Sequence, residues 1–488
     1  MEMEMTLEAR IIPEPKLFFG ENKTTIDPKV GLMNFGPSGL SSSMDSTSIS
    51  VGVIGTMDSL ELLKDWLDRL KWRIEGTDIE DSNVRGIDFP GLSKDSPFRF
   101  EIEIDESNIE IISQEELNLA LTPTDRKERI LRAVELYKRK FLDIAGNHPP
   151  PRIVLLPLSE KLMNSCKDSR YKVDKIVYER RTFDGSKNLF NTPVFDFHNV
   201  MKVIAFTHNM VTQIIRPRTL KFSSDSQDPA TIAWNFAVAT YYKGTGFPWK
   251  LADIDSKTCY VGISFYQEIS EECMSMRTSM AQIFLRTGES QVIRGKPFSW
   301  DVTQGLTPTL TSEQASEIME DVLSLFKRQQ GQLPNRVVIH KSSSFTTEEI
   351  DGFNETNSEI ELVDYLHIID NAGVRIYPSG YEYPAIRGTF FGDQNKWFLF
   401  TSGFIPSLGT YLGGSVPIPI GVQPYRMTTT PYQISRDILA LTKLDWNSAD
   451  FCKRIPTTLS VSKKVGNILS EMRDRNVNDP PSGYRYYM

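Results

Sequence analysis

The chain has only four cysteines in 488 residues, Cys166, Cys259, Cys273 and Cys452, scattered and with no CxxC pair. That excludes a zinc scaffold and a disulfide framework, and it suits a reducing compartment. No apolar run reaches the roughly 18 residues that span a bilayer. The acidic start MEMEMTLEAR lacks the apolar core of a secretory signal. A cytoplasmic protein with no membrane partner is the expectation. There is no internal repeat and no long low-complexity tract. The first strand-like run, VGVIGTMDS, has Gly52 and Gly55 but no GxGxxG. The dinucleotide fingerprint of Rossmann-type nucleotide and sugar-phosphate enzymes is therefore missing.

A surplus of base is missing too. Lys and Arg number 55 against 63 Asp and Glu, a formal net charge of −8, which argues against a polyanion partner. The distribution reverses that argument locally. From Glu75 to Glu116 there are 13 acids and 3 bases. From His198 to Lys250 there are 6 bases and 2 acids, 6 − 2 = +4. Local field, not total charge, steers a polyanion, although both stretches also read as solvated surface.

What is present is an ordinary globular composition, 40% hydrophobic and 24% charged, in a length that suits two or more units. The first 45 residues are rich in Pro, Gly and Ser and read as extended segments with turns. ISVGVIGT predicts a buried strand, and DSLELLKDWLDRLKWRI an amphipathic helix capped by Asp58. FRFEIEIDE alternates as a half-exposed strand. TPTDRKERILRAVELYKRKFLDIAG is a helix and PRIVLLPL a second buried strand. This is the opening of a Rossmann-like unit. Later come the strand TCYVGISFYQEI, a hairpin in SMAQIFLRTGESQVIRG, the helix SEQASEIMEDVLSLFKRQQG and the strand RVVIHKSS. Hairpin, helix, strand is the order of a ribonuclease-H-like fold. Two helices, in PYQISRDILALTKLDW and LSVSKKVGNILSEMRDR, precede the aromatic end GYRYYM.

Four residues carry the clearest chemistry. His198 and Lys202 are four apart in FHNVMKVIAF, so on a helix they share one face. Gln213 falls in the short strand VTQII. Lys243 closes the helix DPATIAWNFAVATYYKG, with Asp228 as its cap, Pro229 at its first position and Gly244 at its end. Lysines balance phosphate charge as mobile point charges, and His and Gln donate hydrogen bonds to its oxygens. Alone, a His-x3-Lys on a helix is mostly a surface pair.

The order of GLMNFGP, VGVIGT, FHNVMK, TQII, YYKGTGFPWKL, YVGIS, VVIHK and ILALTKLDWNS resembles the short prokaryotic Argonautes, which keep only the MID and PIWI domains. The resemblance runs from about Pro13 to Met488. It implies an α/β protein: an N-terminal extended linker over 1–45, a Rossmann-like MID domain over 46–235 and an RNase H-like PIWI domain over 236–488. It also implies that His198, Lys202, Gln213 and Lys243 bind the 5′-phosphate of a guide strand. Met488 would bring its C-terminal carboxylate into the same pocket. Carboxylate and phosphate repel, and a structural Mg²⁺, held by Met488 with Gln213 as a second candidate, is the physical remedy. Arg216, Arg218 and Lys221 are candidate backbone contacts by position, or equally solvated cations.

An active PIWI domain needs carboxylates to hold two metal ions about 4 Å apart. In this sequence Ser264 stands where the first Asp is expected and Ser342 where a later Asp is expected. Glu289 lies near the family's mobile-loop glutamate, and the fourth position near Asp445 to Asp450 cannot be aligned. Asp253, Asp255, Glu348 and Glu349 are the acids that would have to rebuild the site, but helix N-termini favour acids through the dipole alone. His340 reads as a packed strand residue. The implied protein therefore binds without cutting. A guide RNA pairs with an invading single-stranded target DNA, and a separate APAZ-containing effector responds. The commoner effectors are NAD-depleting, of TIR or sirtuin type. A heterodimer is implied, with higher oligomers on activation left open. The alternatives are a catalytically active guide-dependent nuclease and a partner whose effector is itself a nuclease.

Overall fold

A computed structural model describes residues 9–40, 46–77, 86–166, 196–221, 228–252, 255, 257–269, 274–284, 289–298, 308–377, 379, 383–411, 413, 415–472 and 480–488. The first segment holds the short strands β1 (Ala9–Ile11), β2 (Leu17–Phe18) and β3 (Thr24–Thr25). The helix α1 (Pro28–Phe35) follows, where the composition suggests only extended chain and turns. Its start is local chemistry: the Asp27 carboxylate accepts from the amides of Lys29 and Val30 at 2.8 and 3.1 Å, and Pro28 occupies the first turn.

The next unit contains β4 (Thr47–Gly55), α2 (Met57–Leu70), β5 (Phe100–Ile111), α3 (Gln114–Ala120), α4 (Arg126–Ala145), β6 (Ile153–Pro157) and α5 (Glu160–Cys166). It continues with α6 (Phe197–Phe206), β7 (Val211–Ile215), α7 (Pro217–Leu220) and α8 (Pro229–Gly244). Its four strands lie in the order β5-β4-β6-β7, all parallel. Parallel sheets are covered on both faces, which is why every residue of β6 is buried. The cap of α2 is Thr56 rather than Asp58, which falls in the first turn. An acid is favoured there by the helix dipole without capping the end. Helix α8 is capped by Asp228, whose carboxylate accepts from Thr231 N at 2.8 Å. It runs unbroken past residue 235 and delivers Lys243 to Thr212 and Gln213 of β7.

After β8 (Lys250–Leu251), which pairs with β2, the second unit begins. It contains β9 (Thr258–Ile269), β10 (Met274–Phe284), β11 (Glu289–Phe298), α9 (Ser312–Gln330), β12 (Arg336–Lys341), α10 (Thr347–Thr356), β13 (Leu362–Ile369), β14 (Thr389–Gly392), β15 (Trp397–Leu399) and β16 (Ile420–Arg426). Two helices follow, α11 (Pro431–Leu441) and α12 (Thr457–Leu469). The sheet has nine strands in the order β1-β14-β15-β16-β13-β12-β9-β10-β11. Its heart is an antiparallel β9-β10-β11 meander with β12 and β13 added in parallel, the RNase H-like arrangement expected from the sequence.

Two features bind the parts together. The N-terminal segment is strapped to the second unit by β1 pairing with β14 and by Glu14. The Glu14 carboxylate meets Arg387 at 3.0 Å and Lys443 at 2.8 Å. Burial works against this charge, but the two cations outweigh it and hold the carboxyl below its usual range. Helix α12 lies directly on β9. A Cβ at Gly262 would stand 2.0 Å from the Thr458 carbonyl oxygen, and Ser462 Oγ donates to the Gly262 carbonyl at 3.0 Å. Only glycine allows that approach.

Candidate nucleic-acid interface

Helix α6 starts at Asp196, whose carboxylate accepts from His198 N at 2.9 Å. Its apolar residues bury against the sheet and carry Lys202 inward with them, leaving that side chain 3% exposed. Lys243, in the last turn of α8, is also 3% exposed. Its ammonium donates to Gln213 Oε1 at 2.5 Å and to the Thr212 carbonyl at 3.2 Å. The Lys202 ammonium donates to the main-chain oxygen of Met488. That oxygen is placed by a 3-10 turn, Tyr484–Tyr487, which packs Tyr487 against Phe206 at 5.7 Å between ring centroids. Tyr486 Oη donates to Asn209 of the loop after α6. The far end of this segment is tied to β11, where Val292 N donates to the Ser482 carbonyl at 2.6 Å.

The electrostatics are unusual. Among the described residues, neither Lys202 nor Lys243 forms an ion pair with an Asp or Glu side chain. Burial first, and then the charge of Lys464, push the Lys202 pKa down from 10.5 to about 7. Burial, and then Lys202, push Lys243 well down. His198 is pushed down to about 3 by burial first, then by Lys202, and further by Lys243 and Arg216. Its ring keeps a solvent-exposed side, which weakens the first push and leaves the cations to hold it neutral at pH 7. The imidazole Nδ1 lies 3.0 Å from Asn199 Oδ1. Two buried ammoniums whose one anionic contact is the Met488 terminal oxygen, on Lys202, with no Asp or Glu side chain among the described residues, suit a further anion.

The structure thus brings His198, Lys202, Gln213, Lys243 and Met488 together, with Lys202 on Met488, Lys243 on Gln213, and the charges of Lys202, Lys243 and Arg216 reaching His198. Arg216 and Arg218 are exposed. Lys221 is turned toward Glu160, at 2.6 Å, in a solvent-exposed pair. For a Mg²⁺, the oxygen donors are Met488 and Gln213, each engaged by a lysine. Such a donor pair would supply two of the oxygen ligands that a Mg²⁺ takes. Among the described residues no three His, Cys, Asp or Glu side chains stand together as a metal site.

Ser264 lies on β9, and Ser342 follows β12 directly. Because Lys341 is in register with Ile263, the two serines occupy neighbouring positions on adjacent parallel strands. Beside them, Lys341 Nζ meets both carboxylate oxygens of Glu349, at 2.5 and 2.7 Å, with both residues buried. The same ammonium stands 5.5 Å from the Phe265 ring centroid and 5.4 Å from that of Phe345. Glu349 also accepts from Leu310 N at 3.0 Å. It is consumed in structure. Glu348 and Asp255 are exposed, and Asp253 lies outside the described residues. Asp450 is paired with Lys453 at 2.5 Å, and Asp445 stands 3.8 and 3.7 Å from Lys453 and Lys464. His340 is fully buried with Nδ1 2.8 Å from Thr458 Oγ1, and burial, then Arg336, push its pKa to about 3.

Sequence reasoning did not find Lys464, whose charge reaches Lys202 from the second unit. The available signal was a Lys463-Lys464 pair in an otherwise apolar helix, which looks like any solvated face.

No protein-family model matches this chain, and no curated protein does. Solved structures do. Clostridium butyricum Argonaute, bound to a guide DNA and a 19-mer target DNA, matches with a TM-score of 0.64 at 16% identity, over 96% of this chain and 53% of that one. Drosophila Piwi matches with a TM-score of 0.58 at 13% identity, over 98% and 56%. Marinitoga piezophila Argonaute, in complex with a 5′ OH guide RNA, matches with a TM-score of 0.56 at 11% identity, over 94% and 57%. The chain spans about half the length of these structures. Its α/β fold, a Rossmann-like unit followed by an RNase H-like unit, is the Argonaute MID–PIWI architecture.

Proposed function

We propose that this chain binds the 5′-phosphate of a guide RNA in the pocket of His198, Lys202, Gln213, Lys243 and Met488, and uses the guide to sense single-stranded target DNA. The observation that carries the reading is the buried pair Lys202 and Lys243, which no Asp or Glu side chain among the described residues neutralises and whose one anionic contact there is the Met488 terminal oxygen, on Lys202. A terminal phosphate supplies the counter-charge that the pair still lacks. His198, neutral at pH 7, is left to donate or accept one hydrogen bond without adding charge. Met488 and Gln213 would hold a Mg²⁺, which would supply positive charge against the repulsion of carboxylate and phosphate. The Clostridium butyricum Argonaute binds a guide DNA and the Marinitoga piezophila Argonaute a 5′ OH guide RNA, which supports guide binding, while the 5′-phosphate rests on the lysine pair. Base pairing supplies sequence specificity, while the protein holds backbone and shape.

The second unit binds and does not cut. Two metal ions need bridging carboxylates. Ser264 and Ser342 offer hydroxyls at neighbouring positions, and Glu349 is committed to Lys341. Output then belongs to a separate APAZ-containing effector, of TIR or sirtuin type acting on NAD, joined to this chain as a heterodimer. Guide–target pairing and effector activity are linked as a coupling free energy between two sites. The test is to purify the chain, extract its nucleic acid and label the 5′ ends, then offer a matched target with Mg²⁺ or Mn²⁺. Short 5′-phosphorylated RNA and an intact target are expected. A chain empty of nucleic acid even when produced with its neighbour, or a target cut by this chain alone, overturns the reading.

A further inference from the structure

Strand β5 is the edge of the four-stranded sheet, at the end opposite β7 and the lysine pocket. Among the described residues it pairs with β4 alone. An edge strand carries a free row of main-chain N–H and C=O groups along its outer side, a template for another strand. Residues 100–104 run in unbroken register with residues 47–51. Beyond them the Asp105 carboxylate accepts from Ser107 N at 2.9 Å and Ser107 Oγ at 2.7 Å, and the register with β4 shifts between Val51 and Val53. The regular part of the edge is therefore residues 100–104.

Its two faces differ. Side chains alternate along a strand, so Phe100, Ile102 and Ile104 share one face while Glu101 and Glu103 share the other. Burial fades along the apolar face. Phe100 is fully buried, Ile102 packs half-buried against the core, and Ile104 is 36% exposed. On the acid face, Lys94 meets Glu101 and stands 3.9 Å from Glu103. All three side chains are exposed, so this contact is weak. It shows which charge the acid row accepts. The surroundings add to the row, with 13 acids against 3 bases from Glu75 to Glu116.

That charge selects the occupant. A second copy of β5 would set acid against acid across the new strand pair, and nucleic acid is repelled. A polypeptide segment with Lys or Arg at every second position and apolar side chains between them matches both faces at once. We propose that an extended basic segment of a partner protein adds to the sheet beside residues 100–104. Its cations face Glu101 and Glu103, displacing Lys94, and its apolar side chains cover Ile104. Main-chain hydrogen bonds supply the affinity and the alternating side chains the specificity. The edge lies apart from the phosphate pocket, so either assignment can fail without the other.

The test uses the full chain and a fluorescent seven-residue peptide that alternates lysine and valine, read by anisotropy. One control is the same peptide N-methylated along its backbone, which cannot donate to a strand edge. The other has the same composition with its lysines in one block. The alternating peptide should bind at least about tenfold more tightly than either, the scale of two net main-chain hydrogen bonds, and should slow amide exchange at residues 100–104. Glu101→Gln with Glu103→Gln should weaken it about fivefold, the scale of two cross-strand charge pairs. Lys94→Ala should tighten it, an opposite sign that lost packing does not produce. Affinity for a 5′-phosphorylated RNA should be unchanged in both variants. No binding, equal binding of the three peptides, or binding that leaves exchange at residues 100–104 unaltered overturns the proposal. A chain that dimerises by itself with slowed exchange at those residues makes a second copy the occupant, and overturns it too.

Discussion

Raising the pH from 7 to 9 should loosen the grip on a 5′-phosphate while steadying the empty protein. The phosphate monoester is close to a full dianion above its second pKa of about 6, so the lysines set the response. Burial holds Lys202 at about 7 and Lys243 well below its usual range in the empty pocket. A bound dianion returns the missing counter-charge and keeps both protonated, so binding takes up protons. Lys202 is about half protonated at pH 7 in the empty pocket and about one part in a hundred at pH 9. At about 1.4 kcal/mol per unit, Lys202 alone reduces affinity by up to about 50-fold over that interval, and Lys243 adds to the loss. The empty protein responds with the opposite sign. Because the folded pKa of Lys202 lies below its unfolded value near 10.4, the unfolded chain binds more protons between pH 7 and about 10, and this group's contribution to stability rises with pH across that window. The assay is anisotropy with paired 5′-phosphorylated and 5′-hydroxyl strands, alongside thermal unfolding of the empty chain. A flat affinity profile from pH 7 to 9, or an equal fall for both strands, refutes the reasoning.

Other perturbations test the remaining pieces. Lys341→Ala leaves Glu349 buried without its cation and should cost about 3–5 kcal/mol, read as a lower denaturation midpoint. Gly262→Ala drives a Cβ to 2.0 Å from the Thr458 oxygen; it should cost at least the 1–3 kcal/mol typical of overpacking, roughly, and lower the yield of folded protein. Ser264→Asp with Ser342→Asp should not create a target-cutting enzyme in Mg²⁺ or Mn²⁺, because Glu349 stays paired with Lys341; gel analysis of a labelled matched target checks this.

The sequence was legible where local chemistry decides the structure. Apolar runs such as IVLLP announced the parallel sheet, and Asp228-Pro229 announced the start of α8. The spacing of His198 and Lys202 was enough to place both on one helix, but not to show that Lys202 is buried and His198 is exposed. That difference depends on what packs around α6. Helix α1 was hidden because Pro and Gly read as turn signals until Asp27 is seen capping two amides. Strand β13, LVDYLHII, passed unnoticed between polar neighbours, although it supplies a parallel partner of β12. The links from Lys464 to the pocket and from Glu14 to Lys443 join residues far apart in the chain. No periodicity carries such information. Lys341 beside Glu349 was equally silent: an acid in the first turn of a helix looks like a dipole partner until the buried lysine opposite it is seen.

The most direct measurement is the equilibrium affinity of the full chain for a 5′-phosphorylated RNA and for its 5′-hydroxyl twin, with and without Lys202→Ala and Lys243→Ala together. Each lysine contact is worth about 1.5–3 kcal/mol, so the unaltered chain should prefer the phosphorylated strand by at least about 100-fold, and the double variant should bind both strands alike while unfolding cooperatively. Equal affinity of the unaltered chain for the two strands, or a phosphate preference that survives the double substitution, would contradict the assignment of this pocket.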